Sequence, residues 1–306
     1  MMQHHHPIFI VGAPRSGKKM TSELVGRAAG VFSFPYEINC LWRTGHRRHP
    51  YDTLSPAMLS LRTRQRIRDA FDRIAMSSGC DRIVDRTDHN IVRLEYVQTV
   101  FPDCRIIHVV RDPRGSVASA IKRRRTALQW SYFIKKSRYV PPSDLLYYGI
   151  RYALDIAQAR CGKDRYRKLW GIRTPITEQY ASHHSLAVKC AIQWSESIRH
   201  GLKSGRELSS ENYLMVRYED LINRPLVECR KIMEFTNLPW ESAIVHWIEE
   251  NMFRGSLALW KQDLSEEQLS EIHPLVVELM TELGYSWEET TAINEKYHEQ
   301  QRSFAA

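Results

Sequence analysis

Ile8-Phe9-Ile10-Val11-Gly12-Ala13-Pro14-Arg15-Ser16-Gly17-Lys18-Lys19-Met20-Thr21 is the stretch whose reading decides the fold. A short apolar run ends in a glycine-containing turn, and a helical pattern of Met20, Leu24 and Ala28 follows it and stops at Gly30. A run that is apolar on both faces reads as a strand buried inside a parallel sheet. The turn that joins it to a helix gathers backbone N–H groups and a helix N-terminus, and both favour an anion. Arg15, Lys18 and Lys19 add cations there, and Ser16 and Thr21 add hydroxyls, so a diphosphate-like group fits. The stretch nearly satisfies the GxxxxGK[ST] phosphate loop. It departs at the last position, where Lys19 stands in place of the hydroxyl that would hold magnesium, and a protonated lysine does not ligate a cation.

Three more segments repeat the strand-then-helix pattern. Arg82-Ile-Val-Asp85 precedes Ile91, Leu94, Val97 and Val100-Phe101 at helical spacing, closed by Pro102. Arg105-Ile-Ile-His-Val-Val110 is the clearest core strand; after it Asp112 can cap a helix with Pro113 at its first position. Asn212-Tyr-Leu-Met-Val-Arg217 precedes a helix from about Pro225 to Phe235, and His108, in mid-strand, reads as a core histidine. Near the end, Ser265-Glu-Glu-Gln268 forms a capping box, flanked by Leu264 and Leu269 as a hydrophobic staple, and that helix ends before Gly284. Strands alternating with helices predict an α/β fold, a parallel sheet flanked by helices, with phosphate-binding residues where strand ends meet helix starts.

The 306 residues, 43% hydrophobic and 26% charged, exclude collagen-like, low-complexity and disordered chains. Without repeats, a Gly/Ser linker or a composition break, 1–306 is expected to be one domain, with helical insertions around 51–78 and 124–200 flanking the sheet on the acceptor side. The six cysteines are widely spaced with no CxxC pair, which points to reduced thiols and a cytoplasmic setting. No apolar stretch has the length of a membrane span, and a first strand at Ile8 leaves no room for a signal peptide. His4-His5-His6 is a polar lead-in. The charge of +9 calls for an anionic partner but does not choose one. His46-Arg-Arg-His49 has metal-ligand spacing without further ligands nearby and reads as a solvated basic loop; no metal is expected. Arg123-Arg-Arg125 and Lys135-Lys136 come with no nucleic-acid module, so nucleic acid is not the expected partner.

A second motif follows the core strand: Arg111-Asp-Pro-Arg114-Gly-Ser-Val-Ala-Ser119-Ala-Ile-Lys-Arg123. Ser119 and Arg123 share a helix face. With Arg111 at the strand end, two guanidiniums and a hydroxyl can meet on one phosphate. Paired with Pro14-Arg15-Ser16-Gly17, this motif resembles the sulfotransferases that use 3′-phosphoadenosine 5′-phosphosulfate (PAPS). The likeness is to bacterial-type members that share phosphate motifs with the tyrosylprotein and carbohydrate enzymes. It covers about residues 7–125 and resumes at Tyr218-Glu-Asp-Leu221 and Trp260-Lys261.

The resemblance implies a P-loop nucleotide-kinase-like fold and sulfuryl transfer from PAPS to an acceptor hydroxyl, leaving adenosine 3′,5′-bisphosphate. It implies that residues 14–21 (Pro14, Arg15, Ser16, Gly17, Lys18, Lys19, Met20, Thr21) hold the 5′-phosphosulfate. Arg111, Ser119 and Arg123 would hold the 3′-phosphate. Tyr218, Ser256 and Lys261 would contact the nucleotide, and Arg15 and Arg86 would bear charge at the reacting sulfuryl. For the base, Glu37 matches the tyrosylprotein enzymes, whereas Asp88, with His89 beside it, matches the position of a histidine in the small-molecule enzymes. Two departures stand out: Lys18-Lys19 where most members have Thr-Thr, and Arg86-Thr87 where many have Lys-Thr. Lys18 is expected to reach the phosphosulfate and Lys19 to point to the rim. Rival readings are an ATP-dependent kinase and a non-enzymatic polyanion binder. Aromatics of 124–200 (Trp130, Tyr132, Phe133, Tyr139, Tyr147, Tyr148, Trp170, Trp194) are expected to shape the acceptor site, whose occupant stays open.

Overall fold

The computed structural model describes residues 6–124, 150, 171–181, 184–252 and 257–288. Five parallel strands form one sheet in the order β2-β3-β1-β4-β5: β1 Ile8–Val11, β2 Val31–Ser33, β3 Arg82–Asp85, β4 Arg105–Val110 and β5 Tyr213–Arg217. β1 lies at the centre, with Ile8 paired to Val84 on one side and to Arg105 on the other. All four of its side chains are fully buried, which is why the run carries no polar alternation. The extra strand relative to the sequence expectation is β2. Three half-buried residues on a sheet edge give too short an apolar signal to read as a strand.

The helices are α1 Lys18–Val25, α2 Asn39–Trp42, α3 Leu61–Ser78, α4 Leu94–Val100, α5 Pro113–Arg124, α6 Pro175–Gln179, α7 Leu186–Glu207, α8 Tyr218–Asn223, α9 Pro225–Phe235, α10 Ser242–Asn251, α11 Trp260–Asp263 and α12 Glu266–Glu282. α1 stops at Val25, five residues short of the predicted Gly30, and the tight helix Asp88–Arg93 precedes α4. Ile8 and Ile10 pack one face of β1 against α1, α9 and α10, while Phe9 and Val11 pack the other against α3 and α4. Phe9, Trp42, Phe71 and Phe101 form the aromatic centre of that second layer, with Phe71 and Phe101 centroids 4.8 Å apart. Each such buried ring is worth roughly 1.5–3 kcal/mol of transfer free energy.

A third core lies beyond the carboxyl end of β4, where Val110, Val117 and Ile121 meet α7 and α12. α7 is therefore a core helix, and Trp194 in it is buried with Nε1 donating to the Arg111 carbonyl at 3.0 Å. This corrects the placement of Trp194 among the acceptor-side aromatics; the others in that group lie outside the described residues. The Ser265–Gln268 capping box forms with both reciprocal bonds. His108 is a buried core residue, Nδ1 at 2.6 Å from the Tyr213 hydroxyl, and burial pushes its pKa down to about 3.

Candidate active site

The two phosphate motifs leave the carboxyl ends of neighbouring strands β1 and β4. Gly12 turns the chain at φ 147°; a side chain there would meet the Val109 carbonyl at 2.2 Å, so only glycine lets the loop begin this close to β4. Arg15 holds a left-handed φ of 68°, uncommon for a residue with a side chain. Two contacts from the second motif fix it: Arg111 Nη1 donates to the Arg15 carbonyl at 3.1 Å, and Arg15 Nε donates to Ser119 Oγ at 3.0 Å. Gly17, also left-handed, begins α1, which has no side-chain cap and no acidic residue in its first turn. Its leading amides thus keep their affinity for an anion.

The second motif folds as its sequence predicts. Asp112 caps α5, accepting from the Arg114 amide at 2.8 Å, with Pro113 first in the helix. The Arg111 guanidinium lies 4.3 Å over the Tyr218 ring, and a side chain at Gly17 would meet the same ring at 2.5 Å. Tyr218 is thus packed between the two motifs. Partial burial lowers the Arg15 pKa; Asp88 opposes this shift, while the charges of Arg123 and Arg111 add to it. Three guanidiniums and the Ser119 hydroxyl are gathered at one place, an arrangement that an oxyanion relieves.

Arg114 closes this corner. It is paired with Asp112 at 2.7 Å, stacked on Trp260 and Trp287, and bonded to the carbonyls of Ser286 and Trp287. Glu219 accepts from the Asp112 amide and the Tyr285 hydroxyl, and burial raises its pKa. Lys261 follows Trp260 directly, its ammonium 5.8 Å from that ring, and so sits at the same corner. Ser256 lies outside the described residues.

The base candidates gather at the ends of β2 and β3. Arg86 Nη2 donates to the Pro35 carbonyl at 2.6 Å, and Thr87 Oγ1 accepts from the Ile38 amide at 2.9 Å. These bonds pin both sides of half-buried Glu37 to the loop that carries Asp88. Asp88 is ion-paired to Lys18 at 3.0 Å. His89 turns the other way, with Nε2 3.7 Å from Asp52 Oδ2. Burial alone would raise the Asp52 pKa, but His89, Arg93, the Arg173 amide and Arg43 together lower it.

Lys18 differs from expectation in direction. It is buried, and its ammonium binds the Gly12 and Ala13 carbonyls and Asp88. Lys19 is on the rim, 72% exposed and paired with Glu23. Sequence reasoning missed the buried polar groups beneath the site: Asp85, Asn90, Arg93, Asp52 and Arg43. Asp85, at the end of β3, accepts from Trp42, Asn90 and both the amide and hydroxyl of Thr87, and burial raises its pKa. The one available signal was an aspartate ending an apolar strand. Arg47 and Arg48 of the basic loop are exposed. Among the described residues no three His, Cys, Asp or Glu side chains are grouped to hold a metal.

The family model for a sulfotransferase domain matches residues 5–284 of the chain. The chain belongs to that family. Carbohydrate sulfotransferase 1 of Mus musculus is 29% identical over 162 residues, 53% of this chain and 29% of the relative. The protein-tyrosine sulfotransferase of Drosophila melanogaster is 29% identical over 93 residues, 30% and 18% of the respective lengths. This sulfotransferase-family chain thus matches less than a third of the length of these curated relatives. The solved sulfotransferase domain of the Synechococcus PCC 7002 olefin synthase superposes with a TM-score of 0.54 at 15% identity, covering 92% of this chain and 95% of that one. The domain from the curacin biosynthetic pathway gives 0.54 at 16%, over 91% and 97%. Both share the fold, a parallel sheet flanked by helices.

Proposed function

We propose that the chain transfers a sulfuryl group from PAPS to a hydroxyl of an acceptor that is a glycan, a phenol or a small metabolite. The observation that carries this reading is the Arg15–Ser119 contact, which joins the loop after β1 to the helix after β4 and leaves Arg15, Arg111 and Arg123 together. One cluster able to face two phosphate-bearing ends of a ligand suits a donor with both a 5′-phosphosulfate and a 3′-phosphate. When bound, PAPS supplies the activated sulfuryl group and departs as adenosine 3′,5′-bisphosphate.

The chain's own groups have three tasks in this reading. The loop amides and Arg15 bear negative charge as it moves from sulfur to the leaving 5′-phosphate oxygen. Arg111, Ser119 and Arg123 hold the 3′-phosphate, with Tyr218 and Lys261 beside them; Ser256, expected to contact the nucleotide, lies outside the described residues. Glu37 takes the proton as the acceptor oxygen bonds to sulfur and the bond from sulfur to the 5′-phosphate oxygen breaks. Asp88 and His89 are the alternatives for that role, and Arg86 orients the Glu37 segment through Pro35. These cations do the work of a metal.

No helix among the described residues is long and apolar enough to cross a membrane. The wide spacing of the cysteines, with no CxxC pair, supports a cytoplasmic setting. The kinase reading is disfavoured by Lys19, which stands at the sequence position of the magnesium-holding hydroxyl and pairs with Glu23. Thermal shift with adenosine 3′,5′-bisphosphate against ATP–magnesium separates the two: stabilisation by the former alone is expected. Stabilisation by ATP–magnesium alone would move the assignment to phosphoryl transfer. Transfer of label from PAPS across a panel of hydroxylated acceptors then identifies the substrate.

A further inference from the structure

Lys18 is the residue by which this chain departs most from the hydroxyl pair of its family, and its surroundings are fully specified. An ammonium has three N–H donors. Here they meet three strong acceptors: the Gly12 carbonyl at 2.9 Å, the Ala13 carbonyl, and Asp88 Oδ1 at 3.0 Å, with Ser16 Oγ at the edge of reach at 3.5 Å. The side chain is 5% exposed, so these partners are not exchanged with water at little cost. Asp88 is the counterpart. Its carboxylate, 23% exposed, pairs with Lys18 and also acts on the Arg15 guanidinium, so it lies beside the loop that would receive a polyanion. A carboxylate in that place repels an incoming phosphate unless a cation masks it.

We infer that Lys18 is the internal counter-ion of Asp88, a positioning residue that ties the loop after β1 to the loop after β3 and masks Asp88 from the donor, rather than a ligand of the donor itself. This rests on the reading of the loop as the phosphosulfate site. It accounts for both features of the chain at once. A hydroxyl at 18 would leave Asp88 without its ion-pair partner, and a residue at 88 with no side-chain oxygen would leave a buried ammonium one partner short. The lysine and the aspartate form one unit.

The test is a double-mutant cycle on the full chain, with calorimetric binding of adenosine 3′,5′-bisphosphate as the readout. Lys18→Met is expected to weaken binding by about 30-fold or more, because the bare Asp88 charge then faces the ligand. Asp88→Asn alone is expected to stay within about threefold of the parent, and the Lys18→Met/Asp88→Asn protein to return to within about fivefold. A loss in Lys18→Met that Asp88→Asn fails to reverse overturns the proposal, and so does parent-like binding by Lys18→Met alone. Should Lys18→Met not fold, the double variant, which has no lone buried charge, is expected to fold and bind. If it does neither, the pair is not the unit described and the proposal fails. Thermal denaturation of the four proteins keeps this separate from the donor assignment. If the parent itself does not bind adenosine 3′,5′-bisphosphate, the donor reading fails, and masking of the donor site fails with it. A double variant more stable than Lys18→Met would then still establish the ion pair.

Discussion

The carboxyl ends of β3 and β4 flank the same central strand, yet they treat charge in opposite ways. At β3 the charges face inward: Asp85 takes four donors, and fully buried Arg93 donates to Asn90 and Asn39. Beside them Asp52 joins Arg43, His89 and the Arg173 amide. At β4 and the neighbouring loop, cations gather on cations: burial lowers the Arg15 pKa, and the charges of Arg123 and Arg111 add to that shift. The first arrangement is answered largely by groups of the protein itself; the second, in the proposed reading, by the phosphates of the donor. A cluster of ions paired within the protein is therefore a poor guide to a ligand site, whereas guanidiniums gathered around a hydroxyl mark a candidate for one.

Substitutions on either side should separate these roles. The largest effect is expected at Glu37, on the β3 side. Glu37→Gln should lower turnover by roughly 10²–10⁴-fold, with affinity for adenosine 3′,5′-bisphosphate unchanged by calorimetry; near-parental turnover would transfer the role to Asp88 or His89. Next comes Asp52→Asn, which leaves the surrounding cations uncompensated and should cost about 3 kcal/mol of stability at neutral pH. The sign with pH follows from the lowered pKa of Asp52. Its stabilisation is present above the ordinary carboxylate value near 3.8 and is lost as pH falls through the folded value. The gap between parent and variant in urea unfolding should thus close in acid, and a gap that widens in acid would contradict the charge network.

On the β4 side the effects should be smaller and fall on binding. Arg111→Ala should weaken adenosine 3′,5′-bisphosphate by about 1.5–3 kcal/mol while the fold is retained; unchanged affinity in a folded protein would remove the 3′-phosphate assignment. Ser119→Ala should cost only about 0.5–1.5 kcal/mol, since it loses a neutral contact. A Ser119 loss exceeding that of Arg111 would show that the hydroxyl matters chiefly through its hold on Arg15.

Much of this was legible in the chain. β1, β3, β4 and β5 are apolar runs whose periodicity needs no partner to be read, and the caps at Asp112 and Ser265 are local signals fulfilled within three residues. The pairing of the two phosphate motifs was legible because each is a compact string. β2 was not, being short and half-buried. The direction of Lys18 was hidden because its decisive partner, Asp88, comes from another strand's loop. The bonds from Arg86 and Thr87 that pin the Glu37 segment span 51 and 49 residues, and periodicity reports which face a residue occupies, not whom it meets.

The grip on Arg114 has a consequence in time. Its partners Ser286 and Trp287 are made 172 and 173 residues later. At synthesis rates of about 5–20 residues per second, that is a wait of roughly 10–30 s. During it the residues of β1, β3 and β4 have been made, while Arg114 lacks the Ser286 and Trp287 carbonyls and the Trp287 ring. The order of manufacture makes the corner around Arg114 wait to be fastened by residues that follow α12. A chain cut after Gly284 would carry every residue of both phosphate motifs and still lack that fastening.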